Sequence, residues 1–429
     1  MKAEKLPVTP FTGYQKFVIF ILAITLFTVV LDFMVMSPLG DILMKSLSLK
    51  PSRFGFAVSA YAFSAGISGL LTAGFADKFD RKKLLLFFYT GFIGGTFLCG
   101  LAQSYEVLLA ARIITGLFGG VIGSIAMAII ADVFELQQRG RVMGFVQMGF
   151  GASQVMGIPV GLFLANSWGW HAPFIWVASM ALIVAIMIVL RLQPLTKHLL
   201  VQQDKSALKH LLHTVAKKDY RIGFTATALL SIGGYMMMPF GSAFAVNNLK
   251  ITQHQLPMLF MVAGLSTLII MPLIGKLSDR IDKFTIFAVA SGWMIIMVLI
   301  YTNLGPTPLV IVMLFNVLMM AGIMSRMVPS SALTTAIPEM RDRGAFMSIN
   351  ASLQQISGGF AAAFAGMIIV QKDKFSPLEH YNTLGYIIVC ISVISVILIY
   401  RVSNLIKSRM AASEMQKKNQ EQVPLPAEI

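Results

Sequence analysis

Runs of about 20 apolar residues recur from one end of the chain to the other, separated by short polar breaks. A helix needs about 20 such residues to cross a hydrocarbon core of about 30 Å. The pattern predicts twelve spans, near 17–39, 54–76, 84–103, 107–131, 142–165, 170–191, 222–246, 255–275, 284–302, 308–335, 345–370 and 381–402. The one sizeable break, 193–220, is polar and basic, and it leaves six spans on either side. The expected organisation is a tail (1–16), a six-helix bundle (17–192), a linker (193–220), a second six-helix bundle (221–405) and a second tail (406–429). The fold class expected is an all-α polytopic membrane protein.

Composition excludes a soluble alternative. Of 429 residues, 56% are hydrophobic and 12% charged, with mean hydropathy +0.76, whereas soluble domains hold about 25% charged residues. The net charge of +15 points to membrane topology rather than to nucleic acid. Of 34 Lys and Arg, 26 fall in the tails and in the breaks on the same side, and only Lys45, Lys50, Arg53, Lys250, Lys372 and Lys374 fall on the other. Arg112 and Arg326 lie within spans. That bias places both ends in the cytoplasm, and the location expected is the plasma (inner) membrane.

No cleavable signal peptide is expected, since 17–39 is too long for one. Cys99 and Cys390 both sit in apolar runs, which argues against a disulfide. The sequence offers no ATP-binding loop, metal-ligand cluster or nucleophile with its base, so neither enzyme activity nor a cofactor is expected.

The two halves repeat each other. FMVMSPLG (33–40) resembles GYMMMPFG (234–241), aligning Pro38 with Pro239 and Gly40 with Gly241. GFADKFDRKK (74–83) resembles KLSDRIDKF (276–284), aligning Asp77 with Asp279. QQRGRVMGF (137–145) resembles RDRGAFMSI (341–349), aligning Arg139 with Arg343. Two six-helix halves of like topology imply a pseudo-two-fold axis along the membrane normal, with a site between the halves reached alternately from each side.

These residues resemble the major facilitator superfamily across essentially the whole chain. Asp77-Lys78-Phe79-Asp80-Arg81-Lys82-Lys83 is similar to the family's D-R-x-G-R-R loop, with Asp80 in place of the usual Gly. The second copy keeps Asp279, Arg280 and Lys283. The resemblance implies that Asp77 faces the N-terminus of span 11 and that Arg81 pairs with Asp132, a latch between the halves. The other reading is that these charges only set topology and loop shape.

LLAARIITGLFGG (108–120) resembles the family's L-x-x-x-R-x-x-x-G motif, with Arg112 and Gly116 in register. In span 5, Gly149, Ser153, Gly157 and Gly161 recur every four residues, a stripe that lets helices approach closely. Pro159 is expected to kink or loosen that span. The stretch is similar to the antiporter motif of proton-driven exporters, although Ile158 separates Gly157 from Pro159 and Leu162 follows Gly161.

LDFMVMSPLG (31–40) is similar to the corresponding stretch of twelve-span drug and metabolite:proton antiporters, with Asp32 about 22 Å along its span. Burial disfavours an ionised carboxylate and a nearby Arg favours it. The resemblance places Arg112 on a neighbouring helix. Asp32 then serves either as a proton carrier tuned by Arg112 or as half of a static ion pair.

Other polar residues inside the spans divide between interhelical hydrogen bonding and substrate contact. They include Tyr235, Asn316, Asn350 and Gln354, with Gln147, Gln154 and Gln355 beside them. Arg326 either meets an anionic substrate or binds headgroups and backbone carbonyls near a span end. The resemblance implies a monomeric secondary transporter working by alternating access on a small-molecule substrate and protons, with no nucleic-acid partner. The leading expectation is a proton-coupled exporter of small organic molecules. The alternative is an importer or facilitator of an organic anion or metabolite.

Overall fold

The computed structural model describes residues 10–72, 76–196, 199, 207–339 and 342–421. Among these, the long helices are α1 (Gly13–Val35), α2 (Pro51–Thr72), α3 (Arg81–Leu101), α4 (Tyr105–Val133), α5 (Gln137–Trp168), α6 (Ala172–Arg191), α7 (Lys218–Asn247), α8 (Leu256–Ser278), α9 (Lys283–Thr302), α10 (Leu309–Thr335), α11 (Arg343–Ile368) and α12 (Tyr381–Glu421). All but α11 are long and apolar enough to cross a membrane. At 26 residues α11 is about 39 Å long at 1.5 Å per residue, but Asn350, Gln354, Gln355, Ser352 and Ser357 dilute it. It lies between α2 and α7, where protein covers much of that polarity. The chain is thus an integral membrane protein of two six-helix halves.

Local chemistry sets the helix ends. Thr12 and Gln15 form a reciprocal capping box at the start of α1 (3.2 and 3.0 Å). Asp80 caps α3 through the Lys82 amide (2.8 Å), and Asp282 caps α9 through the Thr285 amide (3.2 Å). The departure at Asp80 from the usual glycine is therefore a helix cap, and its counterpart in the other half does the same job.

Prolines set the breaks. Beyond Val35 a turn at 36–39 leads into a short helix, Gly40–Ser46; α7 likewise breaks at Met238–Phe240 before Gly241–Asn247. Pro38 and Pro239 have no amide to donate, which interrupts both helices at the matched register. Pro159 produces no simple kink. The preceding residues, Ser153–Gly157, widen into a π turn, and Pro159 occupies the first turn of the helix that restarts at Ile158.

Packing repeats as the sequence does. In the first half α1 lies against α5 and α6, α4 against α2 and α3, and α3 against α6. In the second half α7 lies against α11 and α12, α10 against α8 and α9, and α9 against α12. The halves meet along two seams, α2 with α11 and α5 with α8. Small residues make the first seam close. A Cβ on Gly55 would stand 2.6 Å from the Ala362 carbonyl oxygen, one on Gly366 would stand 2.8 Å from that of Pro51, and Ser59 donates to the Gly359 carbonyl (2.7 Å).

At the face that carries the chain ends, side chains pin the second half together. Arg409 reaches Asp219 (2.5 Å) and the Ile337 carbonyl (2.7 Å), and Lys407 pairs with Asp282 (2.8 Å). The Lys407 hydrogen bond holds the Asp282 carboxyl below the usual carboxylate range. Asp342, almost fully buried, accepts from Lys217 and from the Tyr220 hydroxyl (2.9 Å).

Close packing inside the first half gives a direct test. A Cβ on Gly116 would strike the Tyr61 carbonyl oxygen and stand 2.9 Å from Tyr61 Cα, whereas one on Gly123 meets nothing within 4 Å. Gly116→Val is expected to cost about 1–3 kcal/mol by overpacking and to lower the melting temperature in detergent. Gly123→Val should leave it unchanged, and equal effects would refute the packing assigned here.

Candidate functional site

Asp32 sits on α1 one turn before the break at 36–39, and Arg112 sits on α4. Arg112 Nη1 donates to Asp32 Oδ2 at 2.8 Å, and both side chains have 0% exposure. The guanidinium lies over the Tyr61 ring, 4.5 Å from its centroid. Thr96, Cys99 and Thr115, all fully buried, complete the polar interior of this half, with the Thr115 hydroxyl turned to the Ala111 carbonyl (2.6 Å). Arg112 Nε and Nη2 are buried without a hydrogen-bond partner, and the Thr96 hydroxyl adjoins the Asp32 carboxyl. The guanidinium engages one carboxylate oxygen, Oδ2, and not both.

Aromatic rings lead from this pair to the junction of the halves. Tyr61 packs on Phe33 (centroids 5.2 Å), and Phe33 faces Tyr235 of α7 (6.2 Å). Tyr235 in turn covers Gly358 of α11, where an added Cβ would be 3.1 Å from the ring. One turn closer to the chain ends, on the same side of α11, Gln354 is exposed. Met34 and Gln154, both half-buried, adjoin this layer (Sδ to Nε2, 3.8 Å). Phe33 and Tyr61 are the two residues that the sequence did not single out. An aromatic in an apolar span is unremarked until helix rotation shows what it faces.

The glycine stripe of α5 packs on α1. A Cβ on Gly149 would strike the Ala23 carbonyl oxygen, one on Gly157 would stand 2.7 Å from Leu31 Cδ1, and one on Gly161 would stand 2.9 Å from Val35 Cγ2. The stripe thereby sets how deeply α1 inserts its carboxylate.

The loop residues separate into two groups. Arg81, 6% exposed, donates to Asp132 (3.4 Å) and to the Ala76 carbonyl (3.2 Å). Asp77 lies in a short 3-10 turn, Ala76–Lys78, but its side chain, like residues 340–341 before α11, lies outside the described residues. Asp279 and Arg280 are both exposed, and no ion pair of theirs is found among the described residues.

The remaining candidates point in different directions. Arg326 does not face the junction of the halves. It lies on the buried side of α10, donates to Ser392 of α12 (3.3 Å) and stacks over Phe287 of α9 (5.5 Å). These contacts turn its helix face toward α9 and α12 of the second half. Asn316 spends one amide hydrogen on its own helix, at the Val312 carbonyl (2.9 Å). Asn350 is half-buried with Oδ1 unpartnered. Of the polar set, Tyr235 alone is brought into the aromatic layer.

Comparison with known proteins agrees with this architecture. The family model of the Major Facilitator Superfamily matches residues 22–362 and 223–425. The uncharacterized MFS-type transporter YbcL of Bacillus subtilis (strain 168) is 25% identical over 387 residues, covering 89% of this chain and 95% of the relative. Multidrug resistance protein 2 of the same organism is 25% identical over 279 residues, covering 63% and 68%. A third relative there, the uncharacterized MFS-type transporter YceJ, is 31% identical over 163 residues, 38% of this chain and 42% of that one, so the match spans less than half its length. Among solved structures, the D-xylose-proton symporter superposes with a TM-score of 0.75 at 16% identity, covering 91% and 98% of the two chains, a likeness of fold. A family model spanning nearly the whole chain, and whole-length likeness to a known transporter fold, make this protein a member of the Major Facilitator Superfamily of membrane transporters.

Proposed function

We propose that this transporter is a proton-coupled exporter of small organic molecules, with Asp32 as the proton carrier. The observation that carries the reading is the fully buried Asp32–Arg112 pair, in which the guanidinium engages one carboxylate oxygen. Protonation neutralises Asp32 and weakens its hold on Arg112; loss of the proton restores the pair. Tyr61 stands between this event and the junction of the halves, so a change in Arg112 is felt at Phe33 and Tyr235. Substrate binds in that junction, against Tyr235 and the half-buried Met34 and Gln154, and methionine suits varied apolar ligands. Relatives that carry the name of multidrug resistance proteins support export and a broad substrate range.

The bias of basic residues supports a chain with both ends in the cytoplasm, and the family resemblance supports a monomer in the inner membrane. Arg81 and Asp132 belong to the latch at that face, with Asp77 expected to join them. The glycine stripe at Gly149, Gly157 and Gly161, with Pro159 beyond the π turn, keeps α1 in register with the antiporter reading.

The functional test is transport in proteoliposomes under an imposed pH gradient. The ligand would come from a thermal-shift screen of apolar cations, sugars and organic anions. The wild-type chain is expected to move it uphill as protons run down their gradient, and Asp32→Asn to lose gradient-driven movement. Uphill transport by Asp32→Asn would end the proton-carrier assignment.

A stability test separates the two partners. Removing one member of a buried pair costs about 3–5 kcal/mol when the other stays charged. Asp32 left alone escapes by taking up a proton, whereas Arg112 left alone stays charged. Asp32→Asn should therefore lower the melting temperature more than Arg112→Gln does, with the gap widest in acid. Equal losses at all pH values would contradict this.

A further inference from the structure

A second buried carboxylate, at the far face from the chain ends, joins the two halves, and no step described so far uses it. Asp41 lies in the short helix Gly40–Ser46 beyond the break in α1, with 1% of its side chain exposed. Its Oδ1 accepts from Asn247 Nδ2 (2.6 Å), at the end of α7, and its Oδ2 accepts from Gln253 Nε2, in the turn before α8. Lys45, one turn on in the same short helix, supplies the neutralising charge at 2.8 Å, and its ammonium lies 5.3 Å from the Phe375 ring centroid. One anion of the first half is thus held by two amides of the second.

The surroundings make this carboxylate the centre of a seal. Ser37 donates to the Met238 carbonyl, and Ser242 returns a hydrogen bond to the Ser37 carbonyl (2.8 Å). A Cβ on Gly40 would be 3.0 Å from the Pro239 carbonyl oxygen, so the two proline breaks meet backbone to backbone. Phe54 and Phe240 close edge-on at 5.8 Å, and Asn166 of α5 donates to the Gln253 carbonyl (3.0 Å). Opening the far face requires these pieces to part. Every one except the Asp41 group is a neutral hydrogen bond or an apolar contact. Hydrogen bonds to a charged acceptor are the stronger kind, and their loss inside a closed seal leaves an under-solvated anion.

We propose that Asp41 is the positioning residue that latches the far face shut, holding the second half through Asn247 and Gln253, and that its release sets how often the protein opens outward. Lys45 stays with Asp41 when the latch opens, because both belong to one short helix, so the anion remains neutralised in either state. The proposal rests on the alternating-access part of the reading above and is independent of which residue carries the proton.

The test reads distances between spin labels in the full chain, with Cys99→Ser and Cys390→Ser as background. One pair, Gln103→Cys with Asn303→Cys, spans the far face; the other, Lys83→Cys with Lys276→Cys, spans the face of the chain ends. Asp41→Ala is expected to raise the ratio of far-face-open to far-face-closed molecules by about tenfold or more, the effect of losing one to two charge-assisted bonds. The Lys83–Lys276 distance should shorten in the same molecules. Asn247→Ala and Gln253→Ala, each removing one donor, should give smaller shifts of the same sign. They decide the matter if Asp41→Ala fails to fold. A mere loss of packing would lower the melting temperature without moving the two distances in opposite senses. Unchanged distance distributions in folded Asp41→Ala, or in both amide variants, would overturn the latch. Such a failure leaves proton-driven transport intact, whereas failure of Asp32 coupling in the gradient assay leaves the latch distances unaffected.

Discussion

A charge placed inside a bundle of membrane helices must be neutralised there, at an insertion cost of roughly 2.5–3.5 kcal/mol for each unpaired Asp or Arg. Asp32 and Arg112 neutralise one another at 2.8 Å, and the rest of the first half is arranged so that they can. The glycine stripe of α5 lets α1 sit deep enough to deliver the carboxylate. Gly116 lets α4 approach α2 until the guanidinium lies over Tyr61. Thr96 and Thr115 keep the interior weakly polar without adding a competing charge. Were either close approach lost, the pair would lengthen and a buried charge would stand uncompensated.

The two halves share a scaffold and differ in their charges. Proline breaks in α1 and α7, aspartate caps on α3 and α9, and the same set of neighbours for each helix repeat across the pseudo-axis. Among the described residues, an ion pair with both side chains fully buried inside the spans occurs in the first half only. In the other, Arg326 faces Ser392 and Phe287 with no carboxylate bound to it among the described residues. The pair thus belongs to one half, and the Phe33–Tyr235 contact joins its surroundings to the other. Arrangements of this kind suit a rocking motion in which the halves keep their internal packing and exchange the contacts between them.

Much of this was legible in the sequence, for identifiable reasons. Apolar runs of the length of a bilayer core marked the spans, and repeated Pro-Gly and Asp-Arg pairs exposed the two halves. Asp32, Arg112 and the stripe Gly149–Gly157–Gly161 stand out because each breaks the local rule of an apolar helix. What a single chain does not encode locally is helix rotation. The sequence left Arg326 open between an anionic ligand and headgroups or backbone carbonyls, and only the fold shows its contacts with Ser392 and Phe287. Phe33 and Tyr61 carry no signal by composition, being aromatic residues in apolar helices, and only the fold brings them into line. Of the two effects expected of Pro159, a kink or a local loosening, the structure shows the second, as a π turn at Ser153–Gly157.

The central claim is that a proton on Asp32 is coupled to a molecule held at the junction of the halves. It is tested most directly by proton release from detergent-purified protein in weakly buffered solution, followed with a pH indicator as a ligand from the thermal-shift screen is added. Coupling between two ligands on one protein is reciprocal. Binding should therefore release a proton from the wild-type chain and none from Asp32→Asn that still binds the ligand. Equal release from both would show that the proton leaves another group and would contradict the account.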